Sequence, residues 1–347
     1  MNQAAPVSGP SVSLAYSIAG VRIRLRAAAP DVHLVATAAR QTFACSPGPA
    51  AEIALSVGWM SDRADPVADL ATNGAQLSFD SGHLWRLYRE PTGDWIFHFR
   101  SNRFGARPYK VARLSPTFAR GSVQVDRRAA YDGSVDALEY PLDELLWVHW
   151  LASRDAVELH ACGVAQAINQ DRSGEGDEDR REGFVFVGQS GAGKTTTARL
   201  WSKDPRFEIL SDDRTIVRRH QQELRMHGTP WHGEGRFARP GSARLKGVFL
   251  LTQAGRTELR PLSPATALGR LMAACFPPFH HAGLLGAATE TMAVLVNSTP
   301  CFELCFSPDS SVVDVVLQHF GYAPRSRARE WRAAGLPLPG VLRTLVK

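Results

Sequence analysis

The residues Gly188-Gln189-Ser190-Gly191-Ala192-Gly193-Lys194-Thr195 fill every fixed position of the phosphate-binding pattern G-x-x-x-x-G-K-[ST]. An apolar, β-prone run, Phe184 to Val187, precedes them, and Thr196 to Trp201 can follow as the first turns of a helix. Glycines let backbone N–H groups converge on anionic oxygens, and a helix N-terminus adds unpaired donors and the positive end of its dipole. The pattern predicts a cradle for nucleotide phosphates built from Gly188, Gln189, Ser190, Gly191, Ala192, Gly193, Lys194, Thr195 and Thr196. In such a cradle Lys194 reaches the β- and γ-phosphates and the Thr195 hydroxyl ligates Mg²⁺.

Two further groups could do chemistry. Phe207 to Leu210 reads as a strand that runs into adjacent carboxylates, Asp212 and Asp213. One carboxylate at a strand end can hold the metal and the other can accept a proton from an attacking hydroxyl. Neighbours on a strand face opposite sides, so both serve one site only if the strand stops there. His160 lies in the β-like run Val157 to Ala165; if that run pairs with the strand before the glycine loop, His160 approaches the phosphates and can support a base. Asp213 is the first choice for the base and Asp212 for the metal, with the roles open to exchange. The turn-rich stretch His227 to Gly235 offers His232 and Glu234, with Arg236 beside it, as acceptor-binding candidates; Trp231 could stack on a ligand or anchor the loop.

The elements around these residues divide the chain in two. From Ser13 to Val125 short β-like runs dominate, including a hairpin with its loop at Glu90 to Asp94. Ile96 to Arg100 reads as a strand with one covered face. Residues 1–135 are therefore predicted to form a β-rich accessory or recognition domain, 136–322 a catalytic domain, and 323–347 a basic tail. Leu142 to Leu151 has helical spacing with acidic residues at its start. Asn169 to Glu182 has almost nothing to bury and reads as a solvated insertion. Ser263-Pro264 opens a helix, Met292 to Val296 and Phe302 to Phe306 read as strands, and Asp309 to Phe320 as a closing helix.

Composition bounds the rest. With 347 residues, 44% hydrophobic and 21% charged, the chain can bury two cores. The net charge of +6 owes part of its excess to Arg325, Arg327, Arg329 and Arg332, which read as a solvated tail without any nucleic-acid signature. The five cysteines are dispersed, and Cys301 and Cys305 fall on one strand face as core residues. No leader-like start and no membrane-length apolar run is visible, so the expectation is a cytoplasmic, reduced protein without a membrane partner.

Leu159-His160-Ala161-Cys162-Gly163-Val164, the glycine loop, and Leu210-Ser211-Asp212-Asp213, in that order, resemble the catalytic domain of the HPr kinase/phosphorylase family, a relative of phosphoenolpyruvate carboxykinases. The resemblance extends to the divergent HPr kinase-like proteins of ribosomal peptide clusters, lasso-peptide kinases among them, and covers roughly Pro141 to Gly321. It implies an α/β fold, a P-loop mixed sheet like the HPr kinase C-terminal domain, and transfer from ATP with Mg²⁺ to a serine-type hydroxyl. His160 then matches the active-site histidine, Lys194 and Thr195 the phosphate and metal residues, and Asp212 and Asp213 the aspartate pair. The glycine-rich signature that follows the aspartates in HPr kinases is replaced here by the Gly228 to Gly235 loop. The N-terminal half differs from that of HPr kinases. The expected acceptor is a peptide or protein, with an amino acid or sugar, or a nucleotide-gated binding module without transfer, as the alternatives. A nucleic-acid-linked ATPase has only the basic tail in its favour.

Overall fold

A computed structural model describes residues 11–46, 48, 51–61, 66–130, 132–167 and 180–323 of the chain. It is mixed α/β, and its contacts separate two compact units, Met1–Val157 with Pro277–Ala288 and Glu158–Phe276 with Thr289–Lys347. The sequence places the change near residue 135, whereas the contacts divide at Val157/Glu158. Helix α3 (Leu142–Ala152) belongs to the first unit because His149 packs against Phe97 and Phe118 there.

The first unit is built on eight strands. Their order is β1 (Ser13–Ile18), β2 (Val21–Ala27), β4 (Ile53–Trp59), β9 (Arg120–Val125), β8 (Lys110–Leu114), β7 (Trp95–Phe99), β6 (Trp85–Arg89) and β5 (Gln76–Asp80). Pairing is parallel for β2–β4 and β4–β9 and antiparallel elsewhere. Leu87, Phe97, Phe99, Ala112, Leu114, Val123 and Val125 alternate along β6 to β9 and are buried, the core face that period-two patterning demands. The expectation of one covered face fails at β7, where all five residues are buried. Helix α2 (Pro66–Thr72) lies over the second face, and its buried Leu70 lines a cavity together with Ile96 and His98 of β7.

The second unit carries β11 (Ala156–Gln166), β12 (Glu182–Val187), β13 (Phe207–Ser211), β14 (Arg214–His220), β15 (Glu223–His227), β16 (Ser242–Gln253), β17 (Glu258–Pro261) and β18 (Cys301–Phe306) in one mixed sheet. Strand β11 lies antiparallel to β12 and to β13, while β12–β16 and β16–β18 are parallel. Helices α4 (Lys194–Trp201) and α7 (Ser311–His319) cover it, burying Trp201, Ala198, Val312 and Val316 with Phe184, Phe186, Phe249 and Phe302. These rings stack and tilt on one another, Phe186 on Phe249 at 4.9 Å and Phe249 on Phe302 at 5.6 Å between centroids. Helix α5 (Pro264–Met272) starts at Ser263, whose hydroxyl accepts the Thr266 N–H, as its sequence predicts.

Two expectations need correction. Met292 to Val296 is not a strand but the C-terminal part of helix α6 (Ala282–Ser298). The β-branched run is overridden because the Ala- and Leu-rich turns before it propagate the helix. Of the stretch expected as a solvated insertion, Glu182 opens β12 and Arg181 is buried, donating to the Gln166 carbonyl at 2.8 Å and paired with Glu208. Residues 169–179 of that insertion, and the tail after Ala323, lie outside the described residues. Cys301 and Cys305 are buried and free, as core residues on one strand face.

Candidate active site

Strand register brings the three groups together. Because β11 runs antiparallel to both β12 and β13, the point where those two strands end falls at one place along it. The Gly188 N–H, just past β12, donates to the His160 carbonyl at 3.1 Å, and the Ala161 N–H donates to the Asp213 carbonyl at 2.9 Å. His160 thus stands between the glycine loop and the aspartates. The site lies within the second unit.

The loop itself is held by close packing. Gly193 caps α4 with φ 107°, and a Cβ there would come within 2.4 Å of the Phe306 ring. Only glycine meets both conditions. Gln253, at the end of β16, donates from Nε2 to the Gly191 carbonyl at 2.7 Å. Lys194 is buried, and its ammonium donates to the carbonyls of Gly188 at 2.9 Å and Gln189 at 3.1 Å. Burial pulls the Lys194 pKa down against the raising effect of Asp213, and the net shift is below the usual lysine value.

Strand β13 ends at Ser211 and the chain bends through Asp212 and Asp213, so both carboxylates can serve one site. Their environments differ. Asp212 is fully buried and accepts four hydrogen bonds: from the backbone N–H groups of Gly233 (3.0 Å), Phe237 (3.3 Å) and Gly235 (2.8 Å), and from the Thr195 hydroxyl (3.4 Å). It fastens the 233–237 loop to helix α4. A Cβ on Gly235 would stand 2.6 Å from Asp212 Oδ2, so glycine at 235 permits that approach. Asp213 is partly exposed and accepts a hydrogen bond from His160 Nε2 at 2.9 Å. Burial pushes its carboxyl up, but the His160 hydrogen bond and the charges of Arg214, His160 and Lys194 outweigh it, holding the pKa below the usual value.

Several neighbours of Asp213 are invisible to motif reading. The Arg214 guanidinium lies 3.5 Å from Asp213 Oδ2 and 3.4 Å from buried Glu158, and stacks 3.9 Å above the Phe276 ring. The His160 N–H donates to the Ala274 carbonyl at 2.8 Å. Ala274 lies 114 residues beyond His160 and Phe276 lies 62 beyond Arg214, and no local pattern announces these contacts. Thr196 is the third residue of α4, and Ser190 and Ala192 lie in the loop between β12 and α4.

His232, Glu234 and Arg236 alternate with the residues whose N–H groups bind Asp212, and all three are exposed. None of these side chains bonds either aspartate; His232 Nδ1 lies 3.0 Å from the Gly233 carbonyl, and Arg236 adopts φ 57°. Trp231 is half-buried, and its carbonyl accepts the Ser211 hydroxyl at 3.4 Å.

The residues present suit a metal-bound nucleoside triphosphate. A glycine cradle with a buried lysine suits the phosphates, and a hydroxyl facing a carboxylate at 3.4 Å is a donor set for Mg²⁺, a hard cation that takes oxygen ligands. No protein-family model matches this chain, and no curated protein matches it. No helix among the described residues is long and apolar enough to cross a membrane.

Proposed function

We propose that the protein is an ATP- and Mg²⁺-dependent kinase that phosphorylates a serine-type hydroxyl of a peptide or protein, in the manner of the HPr kinase-like proteins its motifs resemble. The observation that carries this reading is the division of labour between the aspartates. Asp212 is saturated by backbone donors beside Thr195, whereas Asp213 keeps an accessible carboxylate oriented by His160. A module that only binds nucleotide has no use for the second arrangement.

MgATP supplies the γ-phosphoryl group and the charge-neutralising cation. The cradle amides and Lys194 hold the phosphates, and phosphate oxygens take over the hydrogen bonds that Lys194 makes to Gly188 and Gln189. Thr195 and Asp212 would hold the metal, which would neutralise charge on the phosphates. Asp213 accepts the proton as the acceptor oxygen bonds to phosphorus and the bond to the ADP oxygen breaks. His160 fixes the carboxylate toward the acceptor and stabilises its charge.

The test is incubation with MgATP and serine-containing peptides, free serine and sugars, followed by intact-mass measurement. Gain of one phosphate on a peptide, lost in Asp213→Asn, is the expected result. Phosphate on free serine or a sugar alone would move the acceptor to small alcohols. ATP binding without transfer to any acceptor, and without ATP turnover, would overturn the kinase reading.

A further inference from the structure

The first unit contains a cavity of about 230 Å³ between helix α2 and the face of β7, β8 and β9 turned away from the core. Cross-strand register sets its floor as two rows, Ile96–Arg113–Ser122 and His98–Val111–Gln124. Asp69 and Asn73 of α2 form the opposite wall, with Leu70 and Pro66 between. A helix that covers a sheet normally brings apolar side chains against apolar side chains. Here the covered face holds an arginine, a histidine, a serine and a glutamine.

The polar groups are placed rather than merely enclosed. Glu90 is buried and accepts from Arg113 Nη1 at 2.5 Å, which fixes the guanidinium. Its other N–H groups bond nothing among the described residues. His98 is 3% exposed, packs against Tyr88 at 5.1 Å, and makes no hydrogen bond among the described residues. Burial, with the charges of Arg86 and Arg100, lowers its pKa to about 4, so at neutral pH one ring nitrogen donates and the other accepts. The Asp69 carboxylate, unlike His98, is exposed, and it too has no partner among the described residues. A buried imidazole without a partner costs free energy unless something polar in the cavity satisfies it.

We propose that this cavity is a binding site for a small zwitterion of the free amino acid class, its carboxylate on Arg113 and its ammonium on Asp69. Opposite charges on opposite walls match a ligand carrying both. A simple anion would leave Asp69 unmatched, and a simple cation would leave unused the Arg113 N–H groups that Glu90 does not take. The volume lies below the roughly 300 Å³ at which pockets for drug-sized molecules begin, which restricts the ligand to a compact molecule. Ile96, Val111 and Leu70 offer apolar contact for a short side chain, and His98, Ser122 and Gln124 supply further hydrogen bonds. This assignment does not rest on the kinase reading, since every residue belongs to the first unit.

The experiment is calorimetric and thermal-shift titration of the full chain with the free amino acids. Matched compounds lacking either the amine or the carboxylate serve as controls. Binding of at least one amino acid, with both truncated analogues weaker by about tenfold or more, is the expected result. Asp69→Asn removes an exposed charge without opening a cavity and should weaken that ligand about tenfold while the unliganded melting temperature stays constant. Ser122→Leu fills the cavity from its floor and should abolish binding. If Ser122→Leu does not fold, the Asp69→Asn result and the analogue series decide. No binding by any amino acid, or binding unchanged in Asp69→Asn, overturns the proposal and leaves a hydrated cleft.

Discussion

At the scale of single residues, two adjacent aspartates with the same intrinsic chemistry acquire different environments. Asp212 spends its lone pairs on three backbone N–H groups and one hydroxyl, while Asp213 has one histidine and a charged surround. The substitutions should therefore fail differently. Asp213→Asn should keep MgATP affinity and lose about a hundred- to ten-thousandfold in transfer, read by phosphate incorporation beside nucleotide titration. Asp212→Asn should lose loop order and metal-dependent affinity together, with partial rescue by excess Mg²⁺. Equal transfer rates in wild type and both variants would sink the mechanism. The folded-state pKa of Asp213 is depressed, so its charged form is present at neutral pH and is lost only as pH falls through that lowered value. Lys194→Ala removes a charge-assisted phosphate contact worth about 1.5–3 kcal/mol. Calorimetry should show ATP affinity reduced about ten- to a hundredfold with cooperative unfolding retained.

At the scale of elements, the cradle depends on what lies beneath it. Gly193→Ala places a methyl group against the Phe306 ring at a backbone angle that L-residues rarely adopt. It should cost about 1–3 kcal/mol in denaturant unfolding and abolish nucleotide binding. Gly193→Ala combined with Phe306→Leu should recover stability more than binding, since the positive φ persists. The motif pattern names Gly193, but its second constraint comes from β18, brought alongside by parallel pairing with β16. The same gap between local and tertiary information explains α6. Met292 to Val296 reads as a strand in isolation and is helical because the turns before it are already helix.

For the whole molecule, buried histidines make stability sensitive to acid. Burial lowers His149 and His227 to about 3 and His98 and His280 to about 4, from an unfolded value near 6.5. His149 is buried against His280, whose ring nitrogen lies against its own, and accepts no proton while both stay neutral. Each of these folded-state values is depressed, so the unfolded chain binds more protons below pH 6.5. Their contribution is complete above that pH and is lost as pH falls toward 3–4. Each histidine can cost up to about 1.4 kcal/mol per pH unit in that window. Calorimetric scans should show the melting temperature falling steadily from pH 7 to pH 5. Three of the four lie in the first unit, so its transition should move further than that of the second. A melting temperature constant across this range would show that these rings are protonated or exposed in the folded state.

The sequence alone carried what is local. A glycine loop between a β-prone run and a helix, a strand running into two carboxylates, and a β-rich first half are written in neighbouring residues whose conformational preferences need no distant partner. The hairpin at Glu90 to Asp94 and the cap at Ser263 belong to the same class, and both stand in the structure. Tertiary structure decided the rest because register and packing join residues far apart in the chain. It set His160 between the two strand ends, gave Asp212 its three backbone donors from a loop over twenty residues on, and moved α3 into the first unit. It also covered β7 on both faces and left polar side chains between sheet and helix. No periodicity in Trp95 to Phe99 could show that, since burial of the second face depends on where α2 comes to lie.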